Sequence, residues 1–137
     1  MRWRAPSFAN RVADDEGPIL AIVEYLIDPS ESSAFLAVMQ DISLERKRDG
    51  AYAWHMFEDP NQEGKMVETY LIPSLLELRY REARVTKADE MIENRAAQFL
   101  KAPAESRYLV APQRRRRSHW WMRRSSAMAV DNAAGEI

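Results

Sequence analysis

The sequence predicts an α+β domain of the ferredoxin-like kind, a four-stranded antiparallel sheet with helices on one face, on three observations. Its periodic segments run strand, helix, strand, strand, helix pair, strand, which is the split βαβ order. Its first strand, inside GPILAIVEYLIDP (17–29), is apolar on both faces, as a central strand must be. Its 137 residues suffice for one packed core, and with no cysteine that core has no disulfide to lean on.

From Ile19, every odd position to Ile27 is apolar, and Leu20, Ile22 and Leu26 make the even set apolar too, with Glu24 the exception. Asp28 then stands as N-cap, Pro29 as first helical residue and Glu31 as the capping-box acid. Phe35, Val38, Met39 and Ile42 share a helical face; Arg46, Lys47 and Arg48 crowd the last turn and Gly50 offers a left-handed cap, so the helix should end near Asp49. The uncharged AYAWHMF (51–57), the turn residues DPNQEG (59–64) and KMVETYLI (65–72) read as a hairpin closed by Pro73. Ser74 with Glu77, and Thr86 with Asp89, open two helices, the second with Ala88, Met91, Ile92, Arg95 and Phe99 near one stripe. Ser106–Ala111 is the last strand, at an edge and closed by Pro112.

The formal net charge of −1 hides an asymmetry. Residues 1–112 carry 14 basic and 19 acidic side chains, whereas residues 113–137 carry 6 and 2. The chain divides into a linker (1–16), the folded domain (17–112) and a basic tail (113–137) that reads as disordered. The longest apolar run, Ile19–Val23, falls far short of the ~20 residues that cross a bilayer, and the N-terminus lacks a signal-peptide core. The chain as it stands reads as soluble and unexported. Neither a thiolate zinc site nor a histidine cluster can form from no cysteine and two histidines, and no metal or cofactor is expected.

Four groups of residues could carry function. Glu24 and Glu68 sit mid-strand on neighbouring strands and could face each other; two carboxylates in an apolar setting raise one another's pKa and could act as acid and base, or each could pair with an arginine or a tyrosine hydroxyl. Tyr25, Tyr52, Trp54 and Tyr70 could wall a pocket for an aromatic ligand, or be core. His55 is a further candidate base but has no evident partner. In the tail, Arg114, Arg115, Arg116, Arg117, Arg123 and Arg124 accompany Trp120 and Trp121 without an acid, which suits an anionic membrane surface or nucleic acid, or is a solvated extension. Two helical segments cover one sheet face only, so the apolar residues around Ile22 and Leu26 need a lid, for which a second copy is the simplest candidate.

The segments GPILAIVEYLIDP, RDGAYAWHMFEDP (48–60), VETYLI (67–72) and ARVTKAD (83–89) resemble the soluble domain that follows the last membrane helix in bacterial major facilitator exporters of the enterobactin-exporter type. That domain is similar to the dimeric α/β-barrel superfamily, which includes cofactor-independent antibiotic-biosynthesis monooxygenases. The resemblance spans about residues 17–112. It implies a non-catalytic accessory role, dimerisation or small-ligand sensing at the cytoplasmic face of the inner membrane, with a homodimer and a transporter domain as partners. It also ranks a membrane surface above nucleic acid for the tail. The alternative it carries is a monooxygenase acting on a small aromatic substrate. Where the family commonly has two histidines ahead of ARVT, this sequence has Leu78 and Glu82.

Overall fold

Ile19–Leu26 forms β1 at the interior of the sheet, hydrogen-bonded on both sides, in a computed structural model that describes residues 8, 12–83 and 86–112. A single 3-10 turn, Pro29–Glu31, leads into α1 (Ser32–Arg48), then the hairpin of β2 (Tyr52–Glu58) and β3 (Lys65–Ile72), then α2 (Leu75–Ala83), α3 (Lys87–Ala97) and β4 (Glu105–Val110). The strand order is β2-β3-β1-β4, all antiparallel, which is the ferredoxin-like arrangement expected. The last strand lies at an edge as anticipated, one residue earlier than its composition suggested.

Burial alternates strictly along β1 and β3. Ile19, Ala21, Val23, Tyr25, Met66, Tyr70 and Ile72 face the helices and form the core with Phe35, Val38, Met39 and Ile42 of α1 and Leu75 and Leu78 of α2. Leu78 is fully buried. The other sheet face presents Leu20, Ile22, Val67 and Leu71, half-buried, with Tyr52, Phe57 and Leu109 exposed at 44%, 55% and 49%.

Local signals account for the element ends. Asp28 caps as expected, but its carboxylate accepts from the backbone N–H (3.0 Å) and hydroxyl (2.9 Å) of Ser30, so the short 3-10 turn comes first. Thr86 and Asp89 form a complete capping box at α3. Gly50 takes the left-handed conformation (φ 98°) after α1. The stretch read as a linker is fastened to the domain where it is described. Glu16 and Asp14 carbonyls accept from the first amides of α2, those of Leu75 (3.1 Å) and Leu76 (2.9 Å), and Phe8 and Val12 pack against the core.

The stripe expected on α3 is rotated. Its buried residues are Asp89, Glu93 and Ala96, with Ile92 half-buried, while Met91 is 67% exposed and Ala88 and Arg95 face outward. The helix turns acids inward because arginines of α1 and α2 meet them there.

Candidate functional site

Between sheet and helices the apolar core gives way to a layer of charge. Its centre is Glu68 of β3, which is fully buried. Its Oε1 accepts from the Tyr25 hydroxyl (2.7 Å) and Arg46 Nη2 (3.1 Å), and its Oε2 from Arg46 Nε (3.0 Å) and Trp54 Nε1 (2.8 Å). Four donors fill the four lone-pair sites of a carboxylate. Burial alone would push this carboxyl up, but the Arg46 charge together with the hydrogen bonds from Arg46, Tyr25 and Trp54 holds it below its ordinary value. Burial, and then the Glu68 charge, raise the Tyr25 hydroxyl well above its usual pKa, so it stays a donor.

Trp54 reaches Glu68 because β2 carries a bulge. Tyr52 pairs with Leu71 and His55 with Thr69, so one residue too many lies between them, and Ala53 absorbs it with φ 52°. The extra residue turns Trp54 toward the helices and His55 toward the open face, where His55 is exposed and its ring lies 6.0 Å from that of Phe57.

Around this centre, the Arg46 and Arg81 guanidiniums lie 5.0 Å and 5.2 Å from the Tyr70 ring, and Arg81 donates to the Tyr70 hydroxyl (3.0 Å). Arg81 also lies 3.9 Å from Asp49, the residue that ends α1. Arg48 bridges Asp89 of α3 (2.5 Å) and Asp49 (3.8 Å). Burial would raise the Asp89 carboxyl, but hydrogen bonds from Arg48 and Thr86 bring it below its ordinary value. The buried Oε2 of Glu45 has no hydrogen-bond partner. Burial, then the neighbouring Glu93, push Glu45 up to about 7, and burial raises Glu93 as well.

The expected carboxylate pair is therefore not a pair. In the β1–β3 register Glu68 lies opposite Val23 and Glu24 opposite Val67, so the two acids point to opposite sheet faces. Glu24 sits on the open face, 3.5 Å from Lys65 Nζ and directly across from Glu105 of β4. The expected aromatic wall divides the same way. Tyr25, Trp54 and Tyr70 surround Glu68 under the helices, and Tyr52 lies on the far face, across from Leu71. Two depressions, of ≈ 150 Å³ with Tyr25 in its lining and of ≈ 380 Å³, adjoin at Glu24 and Glu105, and neither is lined by Trp54 or Glu68. The tail residues Arg114–Arg124 lie outside the described residues.

Sequence reasoning missed Glu45, Asp49, Arg81 and Glu93, and took Arg46 for a helix-end cation. The signal was present: the stripe Phe35, Val38, Met39, Ile42 continues at the same spacing through Glu45, Arg46 and Asp49, and Asp89, Ile92, Glu93, Ala96 has that spacing too.

Among solved structures the chain is similar to a protein assigned as an antibiotic biosynthesis monooxygenase from Caulobacter crescentus (17% identity, 72% of this chain and 92% of that one, TM-score 0.62). It is also similar to Rv0793 from Mycobacterium tuberculosis (21%, 70% and 95%, 0.55) and to SnoaB, a cofactor-independent oxygenase from Streptomyces nogalater (13%, 74% and 96%, 0.57). At these identities the likeness is one of fold. No curated protein matches the chain. No described helix is long and apolar enough to cross a membrane. The family model for transmembrane secretion effectors matches residues 1–116, a range that contains the whole sheet, and the chain belongs to that family.

Proposed function

We propose that this is a non-catalytic assembly module of a major facilitator type exporter, pairing two chains through the open sheet face at the cytoplasmic side of the membrane. The observation that carries this reading is that face itself. Leu20, Ile22, Val67 and Leu71 lie at its centre beside Thr69 and Glu24, with Tyr52, Phe57 and Leu109 exposed around them. An apolar patch of this kind on a sheet face calls for a cover. A two-fold axis sets the same patch against itself, and the charges at its β1–β4 end suit that arrangement. Glu24 and Glu105 oppose one another across the strands, and Arg107, two residues along β4, makes no ion pair among the described residues, so the Arg107 of one copy can meet the acids of the other. The depressions beside Glu24 and Glu105 would then be roofed by the second sheet, which gives the module a place for a small ligand.

The oxygenase alternative needs a carboxylate with a free lone pair beside Trp54. Glu68 holds that place with four donors on it, which supports a structural role.

Sedimentation velocity on the full chain and on Leu109→Glu tests the assembly role. The parent should form a concentration-dependent dimer, and the variant should be monomeric with unchanged far-ultraviolet circular dichroism. A parent that stays monomeric at all concentrations overturns the proposal.

A further inference from the structure

We propose that Glu45, Asp49 and Asp89 bind a hard divalent cation, Mg²⁺ or Ca²⁺, that ties the end of α1 to the first turn of α3. One carboxylate oxygen from each lies within 4.8 Å of the other two, and all three residues are buried. Oxygens that share a cation at 2.0–2.6 Å stand no more than about 5 Å apart, so the ligand spacing is already met. Carboxylate oxygens alone, without imidazole or thiolate, select hard cations over zinc or copper.

Two further observations point to a cation rather than to a self-sufficient ion-pair network. The first is an orphan: Glu45 is 5% exposed, and its buried Oε2 has no hydrogen-bond partner. The second is the charge count. The layer holds five buried carboxylates, Glu45, Asp49, Glu68, Asp89 and Glu93, against Arg46, Arg81 and the half-exposed Arg48. Among the described residues the layer thus holds more carboxylates than arginines. A divalent cation would offset that imbalance. Arg48 donates to Asp89 at 2.5 Å, and a cation would displace it. Arg81 and Arg48 stand at 3.9 Å and 3.8 Å from Asp49, and Arg48, 56% exposed, can turn to solvent from its contact with Asp89. Three carboxylates supply half of an octahedral shell, and water completes it.

The test uses the full chain, dialysed against a chelator at pH 8, then titrated with MgCl₂ or CaCl₂ by isothermal calorimetry and by thermal melting. NaCl at matched ionic strength is the control. We expect saturable binding and a melting temperature raised by roughly 5 °C at saturation, as binding to the folded state alone requires. Glu45→Gln and Asp49→Asn should each weaken binding by about tenfold or more, as loss of a charged ligand does. No saturable heat in the parent, or a melting shift no larger than NaCl gives, overturns the site. So does equal binding by both variants. If one variant does not fold, the parent and the other variant decide.

Discussion

Arg46→Met is the sharpest probe of the charge layer, because it removes from Glu68 both its ion-pair partner among the described residues and two of its four hydrogen-bond donors. Tyr25 and Trp54 would remain as donors, so the carboxylate would stay partly satisfied but unpaired, with no exposure to water. Breaking a buried ion pair from one side costs about 3–5 kcal/mol. Set against the ~5–15 kcal/mol that hold a domain of this size, this is about a fifth or more of the total, equivalent to a fall in melting temperature of about 20 °C. Arg46→Met/Glu68→Leu should be less destabilised than Arg46→Met alone, because no charge is then left buried, although Tyr25 and Trp54 lose their acceptor. The coupling should be at least ~2 kcal/mol. Urea denaturation of the parent, both single variants and the double variant measures it. An Arg46→Met loss under ~1 kcal/mol, or additive effects in the double variant, would refute the account of Glu68 as a saturated structural carboxylate. It would also reopen its reading as a base.

Three other outcomes follow from the same geometry. Glu45 has a folded pKa of about 7 against an ordinary 4.5, so the folded state holds its proton more tightly; in chelator, stability should fall by about 3 kcal/mol as pH rises from 4.5 to 8, and Glu45→Gln should flatten that decline in a urea series. Glu68 and Asp89 work the other way, their carboxyls being lowered, so acid should remove their contribution below the ordinary carboxylate range, and a maximum of stability between the two effects is the signature to look for. Removing residues 113–137 should abolish salt-sensitive co-sedimentation with anionic liposomes and leave the melting temperature nearly unchanged; equal sedimentation by both chains would return the tail to a solvated extension.

The fold was legible because its signals are local. Capping residues at Asp28 and Thr86, turn residues at 59–64 and two-sided apolarity in 19–27 each act within a few positions, and the split βαβ order follows from their sequence alone. That the helices pack on one sheet face was legible for the same reason, since two helical segments can cover only one side. The interior of the site was not legible, because register decided it. Alternation along AYAWHMF, taken without a break, would set Trp54 on the same side as Tyr52; the single extra residue at Ala53 reverses every residue after it, bringing Trp54 to Glu68 and sending His55 away. Likewise the adjacency of β1 and β3 was foreseen but not that Glu24 and Glu68 are one step out of register, which separates them by the thickness of the sheet.

The helices failed to read for a different reason. An inward stripe was sought among apolar residues, and on α1 it was found and then stopped at Ile42, where the helix exchanges oil for charge without changing its face. The same spacing carried to Glu45, Arg46 and Asp49 gives half of the buried layer, and Asp89 and Glu93 on α3 give most of the rest. Buried acids and arginines that appear together at helical spacing on two helices are self-consistent only when the helices pack on each other, as α1 and α3 do. Such a layer ties helix to helix at the cost of desolvating every charge, and it lies on the helix side of the sheet, away from Leu20, Ile22 and Leu71. That division of labour is what an assembly module needs: the charged interior fixes one arrangement of the helices, and the exposed face remains available for another chain.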